Sequence, residues 1–157
     1  MGISLSLQQF LDNRGVNYDV MSHAPTKHSL ATAQVCHIPE DNLAKGILLR
    51  RRDGYLLAIV PASRKVGLSE LGEWLDQPIG LATEEEVTSV FADCEPGSVP
   101  PVASAYGLQA VMDDSLEGFE HIYFEGGDHC TLVHVTGREF HRLMSSVPHA
   151  RFSAPLH

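Results

Sequence analysis

A single α+β domain built on a mixed sheet is the fold class this sequence predicts, and three observations predict it. The β-prone runs cluster in hairpins instead of alternating strictly with helices, which disfavours a doubly wound sheet. One hairpin joins residues 47–51 to 55–60 through Arg52-Asp53-Gly54, and Asp-Gly is among the strongest short hairpin signals. Finally, 157 residues at 43% hydrophobic and 20% charged suit one ordinary domain with a real core.

Taken in order, Leu7, Phe10 and Leu11 have helical spacing, and Gly15 ends the helix they define. Residues 16–21 alternate well enough for a strand. After a polar loop at 22–28, Ser29 is placed to cap a short helix through about Cys36, which Pro39 closes. Beyond the hairpin, Leu71, Trp74 and Leu75 share one helical face over 68–75. Thr83 and Glu86 form a capping box for a further short helix ending near Phe91. The run Cys94-Glu95-Pro96-Gly97-Ser98-Val99-Pro100-Pro101 is a loop, because its three prolines remove backbone donors. Strands over 109–112 and 121–124 flank the turn at Asp113-Asp114 and Gly118. Gly126-Gly127-Asp128 turns the chain into a strand over 130–135, and Thr136 with Glu139 makes a capping box for the last helix. From Ser145 onward, Pro148 and Pro155 in a polar context predict a loose tail. The domain is therefore placed at residues 1–146 and the tail at 147–157, with no internal repeat and no linker.

A net charge of −9 argues against sequence-independent coating of nucleic acid, DNA included, which phosphate neutralisation drives. The basic residues are nonetheless concentrated. Lys45, Arg50, Arg51, Arg52, Arg64 and Lys65 are six of the eleven, while residues 66–137 carry none and hold fourteen Asp and Glu. One face for an anionic ligand, or for one end of a nucleic acid, fits that pattern. No apolar stretch approaches the ~20 residues that span a bilayer, so no membrane role is expected. The first residues lack the basic region and apolar core of a secretory signal. They match M-G-x-x-x-[ST] loosely, but 4–14 reads better as an amphipathic helix. Three cysteines without CxxC spacing, Cys36, Cys94 and Cys130, point to a reducing compartment, by default the cytoplasm.

Lys45 is the first candidate for chemistry. A lysine opening the apolar run Gly46-Ile47-Leu48-Leu49 is costly to hold unless its ammonium reaches a partner or water. It reads either as a surface lysine at a strand's beginning or as a clamp for a phosphate or ribose. Arg50–Arg52 read as solvated charge at a hairpin end. In the 97–101 loop, Gly97 permits positive φ and close backbone approach, and the paired prolines stiffen the loop's far end. Such a loop can hold a carbonyl or a water with backbone groups alone, or it can be a plain surface connection. His129 comes after a tight turn able to aim its ring into a pocket. His129 and His134 fall on opposite sides of one strand and HExxH is absent, so no metal site is expected, although Cys130 adjoins them. No GxSxG elbow exists for a serine nucleophile, and no signature activates a cysteine; Cys36 reads as a structural thiol. There is no GxGxxG and no phosphate-binding loop, hence no nucleotide cofactor.

Three ordered pieces resemble a known family. They are Leu43-Ala44-Lys45-Gly46-Ile47-Leu48-Leu49 with its Gly-Tyr hairpin ending in Ile59-Val60-Pro61-Ala62, the 94–101 loop, and Gly127-Asp128-His129. Together they resemble the YbaK-like, prolyl-tRNA-synthetase-associated editing domains, free-standing aminoacyl-tRNA deacylases, over roughly residues 5–145. The resemblance implies an α+β fold with a curved mixed sheet and flanking helices. It also implies a trans-editing hydrolase without cofactor, acting on the acceptor end of mischarged tRNA, such as alanyl- or cysteinyl-tRNA of the proline isoacceptor. Lys45 matches the lysine expected to grip the terminal adenosine. Gly97, Ser98, Val99, Pro100 and Pro101 match the G-x-x-x-P loop whose backbone orients carbonyl and water. His129 matches a histidine shaping the small aminoacyl pocket. Water attack is then assisted by the substrate's own ribose hydroxyl, with no covalent nucleophile. A cognate synthetase or elongation factor would deliver the substrate. Gly46 and Val102 depart from the family pattern and leave the substrate branch open. A non-catalytic module of the same fold, and a histidine-based metal hydrolase, stand as the alternatives.

Overall fold

The computed structural model describes residues 2–156. In chain order its elements are α1 (Leu5–Asn13), β1 (Asp19–Ser22), α2 (Ser29–Cys36), the hairpin β2 (Leu43–Arg51) and β3 (Gly54–Pro61), β4 (Arg64–Val66) and α3 (Leu68–Leu75). They continue with β5 (Gly80–Leu81), α4 (Glu84–Val90), β6 (Ala110–Asp113), β7 (His121–Glu125), β8 (Thr131–Thr136), α5 (Gly137–Leu143), β9 (His149–Ala150) and β10 (Ser153–Pro155). The main sheet runs β1-β8-β7-β2-β3-β6-β9, with β5 also on β2. It is mixed: β2–β7, β3–β6 and β6–β9 are parallel and the other pairings antiparallel. The α+β class with a mixed sheet is therefore what the chain adopts.

Helices and loops cover both faces, which explains why β3 reads as an unbroken apolar run rather than an alternating one. Leu57 and Ile59 point into the larger core with Leu7, Leu11, Phe91, Phe124 and Phe140. Leu56, Ala58 and Val60 point the other way, against Leu71 of α3 and Phe152. On that second face, under α2, a smaller cluster joins Ala33, Ile38, Leu43, Ala62 and Leu132. Each fully buried leucine contributes about 1.5–3 kcal/mol, so β3, buried on both sides, anchors the sheet.

Several local expectations are adjusted. Strand β2 begins at Leu43, so Lys45 is its third residue rather than its first. The first strand is Asp19–Ser22 rather than 16–21, because Val16 N still donates to Leu11 O at 3.0 Å on leaving α1. α2 is capped by His28, whose Nδ1 accepts from Ala31 N at 3.2 Å, and not by Ser29. The Thr83–Glu86 box forms in both directions. At α5 only half of the box forms: Thr136 Oγ1 accepts from Glu139 N, while the Glu139 carboxylate takes Asn17 N at 2.9 Å and Arg142 at 2.9 Å.

The expected loose tail at 147–157 is corrected. His149 pairs with Met112, Ser153 with Val66, and Phe152 is buried in the α3 core. Its backbone N–H donates to Asp113 Oδ1 at 2.9 Å. Prolines removed donors from this segment, yet Pro148 lends its carbonyl to Met112 N, and Pro155 sits in a two-stranded ribbon where a missing donor is tolerated. No helix among the described residues is long and apolar enough to cross a membrane.

Candidate functional site

The 94–101 loop and the turn before β8 are sewn together. Glu95 N donates to Gly127 O at 2.6 Å, and His129 N donates to Ser98 Oγ at 3.2 Å. The turn is set by Asp128, whose carboxylate accepts from Cys130 N at 2.9 Å and Thr131 Oγ1 at 3.1 Å. This places His129 in the left-handed region at φ 61°, just ahead of β8. Its Nε2–H donates to Pro96 O, so the ring lies along the loop. Gly97 lies beneath it at φ 84°, and a Cβ there would stand 3.3 Å from His129 Cε1. Both the left-handed backbone and the close ring require glycine. Within the loop, Gly97 is exposed, Val99 half-buried, and Ser98, Pro100 and Pro101 buried.

Lys45 extends from the α2 face of β2. Ala44 and Leu48 pack in the larger core and Leu43 in the cluster under α2, so alternation sends Lys45 to Leu43's side. Its ammonium is half-buried, reaches Ala62 O at 3.4 Å, and is shifted by burial below the ordinary lysine pKa. Gly46, on the opposite face, leaves room for Leu57, whose Cδ1 would lie 3.2 Å from an added Cβ. That glycine is therefore a packing residue, turned away from Lys45.

The parallel pairing of Leu43 with Tyr123 and Ala44 with Phe124 ends one step before Lys45 and Glu125. These two residues consequently leave adjacent strands on the same face. Glu125 is buried, its Oε2 accepts from Ser98 Oγ at 3.3 Å, and its Oε1 stands 3.5 Å from His23 Nε2. Burial pushes its carboxyl above the ordinary range, while Thr32, His23, His129 and Ser98 offset part of that. Neither Glu125 nor His23 was singled out by sequence. The available signal was a lone carboxylate ending the apolar run Ile122-Tyr123-Phe124, the same signal that marked Lys45.

The remaining candidates fall elsewhere. His134, on β8 between β1 and β7, hydrogen-bonds His121 at 2.9 Å and Asp19 at 3.1 Å, apart from His129. Among the described residues no group of three or more His, Cys, Asp or Glu is placed to hold a metal ion. Burial pushes the Cys94 thiol up to about 11, so it is no ready thiolate. Two grooves, of about 470 and 390 Å³, are lined by residues such as Phe119, Phe140, Trp74 and Pro148. Neither includes Lys45, the 97–101 loop or His129.

Comparison with known proteins adds the family. Two proline–tRNA ligases share part of the sequence. That of Thermosipho africanus is 26% identical over 99 residues, covering 58% of this chain and 18% of the ligase. That of Thermotoga neapolitana is 28% identical over 95 residues, covering 60% and 16%. The chain thus spans less than a fifth of the length of these curated relatives. The solved structure of a candidate trans-editing enzyme for prolyl tRNA synthetase superposes with a TM-score of 0.83, at 24% identity over 95% of both chains, which establishes a shared fold. The model of the aminoacyl-tRNA editing domain matches residues 23–143, a span that contains Lys45, the glycine–proline loop and the His129 turn. On that match the chain belongs to the aminoacyl-tRNA editing domain family, in its YbaK-like form.

Proposed function

We propose that this protein is a trans-editing deacylase that hydrolyses the ester of mischarged aminoacyl-tRNA. The observation that carries the reading is the fixed apposition of the Gly97 loop to the His129 turn, with a half-buried lysine leaving the strand next to Glu125 on the same face. Lys45 grips a phosphate or the ribose of the terminal adenosine, where a mobile ammonium with three donors is suited to a mixed set of acceptors. The loop backbone orients the scissile carbonyl and the attacking water. Ser98 N is already hydrogen-bonded to Glu95 O at 3.1 Å, so Gly97 N–H and Val99 N–H are the loop amides left to face a developing oxyanion. His129, locked against Pro96, bounds a small aminoacyl pocket. Water attacks with help from the substrate's ribose hydroxyl, and the ester breaks to free amino acid and tRNA without a covalent intermediate.

Alanine or cysteine on the proline isoacceptor is the preferred substrate class, supported by the similarity to proline–tRNA ligases. One methylene in an apolar pocket discriminates by only ~1–3 kcal/mol, so the pocket bounded by His129 sorts by size over a narrow range. The protein works in the cytoplasm, with delivery by the cognate synthetase or an elongation factor. The test is a deacylation assay over a panel of mischarged tRNAs. Faster loss of alanyl- or cysteinyl-tRNA of the proline isoacceptor than in buffer is expected. No acceleration on any ester would leave a non-catalytic binding module in its place.

A further inference from the structure

His23 and Glu125 meet in a way that specifies a proton. His23 Nδ1 lies 2.7 Å from Ala24 O, and a carbonyl only accepts, so Nδ1 carries hydrogen. Its Nε2 faces Glu125 Oε1 at 3.5 Å, the two side chains being 2% and 9% exposed. Neither atom has another partner among the described residues. Were Nε2 bare and the carboxylate ionised, two buried lone-pair acceptors would face each other unsatisfied, a cost of a few kcal/mol. One proton between them removes it, whether on the ring or on the carboxyl. The other carboxyl oxygen holds the Ser98 hydroxyl, and that hydroxyl accepts the His129 backbone N–H. A chain of contacts therefore runs from His23 through Glu125 and Ser98 to His129, linking the loop to the turn.

We propose that His23 and Glu125 share a single buried proton and form a positioning pair for the editing reaction, holding the 97–101 loop and the His129 turn in register through Ser98. This rests on the deacylase reading above. The groups that face the carboxyl are His23 from the end of β1, Thr32 and Cys36 from α2, Ser98 from the loop and His129 from the turn, with Lys45 on the neighbouring strand. Loss of the shared proton at alkaline pH leaves an uncompensated buried carboxylate, and the loop it braces loosens.

Two measurements on the full chain test this. In the free protein at neutral pH, nitrogen NMR of the His23 ring should show Nδ1 protonated and Nε2 sharing a proton with the carboxyl. In Glu125→Gln, Nε2 should move to the position of a plain acceptor. In deacylation of a mischarged tRNA, Ser98→Ala and Glu125→Ala should lower kcat by about tenfold or more with KM changed less than about threefold. Glu125→Gln should recover kcat to within about fivefold of wild type and flatten the alkaline limb of its pH profile, since its amide can serve both Ser98 and His23. If Glu125→Ala does not fold, Ser98→Ala still decides. A His23 Nε2 that in the wild type neither carries a proton nor accepts one from the carboxyl, or wild-type kcat in Ser98→Ala, overturns the proposal. A wild-type protein that hydrolyses no ester overturns the deacylase reading instead, and the ring measurement still judges the pair.

Discussion

At the hairpin end of the sheet Arg50 is 62% exposed and pairs with Glu86 at 3.4 Å, whereas toward the opposite end of β2 His23 and Glu125 meet at 3.5 Å almost out of solvent. By charge count the hairpin is the conspicuous region, with three consecutive arginines. Yet Arg50 is already paired with Glu86, Arg51 reaches Gln109, and Arg64 is held by Ser153 and Asp113. An exposed pair in water is worth ~0–1 kcal/mol, so nothing unusual is needed to keep it. Charge removed from water is different: it persists only where the fold compensates it or a ligand does. Density of charge therefore marks the solvated face, and isolation of charge marks the site.

The sharpest way to break this comparison is Lys45→Ala. Deacylation should fall by about 100-fold or more in kcat/KM, a loss of about 2.7 kcal/mol of transition-state binding, while Tm stays within a few degrees. A variant that unfolds, or that keeps its activity, would make Lys45 a structural residue like the arginines. Gly97→Ala comes next. With φ at 84° and His129 Cε1 3.3 Å from the new methyl group, about 1–3 kcal/mol of stability and at least about tenfold in kcat should be lost, read by denaturation and single-turnover kinetics.

Stability against pH tests the burial of Lys45 directly. Because its folded pKa lies below the unfolded value, the charged ammonium costs stability at neutral pH, and that cost fades as pH rises through the folded pKa toward the unfolded one. Lys45→Met should accordingly melt higher than wild type near pH 7, by a margin that narrows toward about pH 10. The smallest effect belongs to Arg50→Ala, below about 1 kcal/mol in chemical denaturation. Its influence on tRNA affinity should be modest and disappear by ~0.5 M salt. A large loss there would promote the hairpin end from solvated face to binding surface.

Much of the fold was legible because its signals are local. Helical spacing in α1 and α3, the Thr83–Glu86 box and the Asp53-Gly54 hairpin each depend on residues a few positions apart, and each appears where expected. The tail was not legible, for the converse reason. Its order comes from Phe152 entering a core built by Leu49, Leu71 and Val111, all far from it in sequence, and from edges contributed by β4 and β6. Composition cannot show such partners.

The same division runs through the site. Sequence by itself determined that 97–101 is an irregular, proline-stiffened loop, that a glycine–aspartate turn precedes His129 and that Lys45 is awkwardly placed, since backbone preference and cost of burial are properties of residue type and near neighbours. Only the tertiary structure decided that β2 and β7 lie side by side with Lys45 and Glu125 on one face, and that Ser98 stands between Glu125 and His129. It also decided that His23, about a hundred residues before Glu125, brings the ring that completes the carboxyl's surroundings. A buried proton has no signature along the chain, because burial and a facing partner arise only when distant strands are packed together.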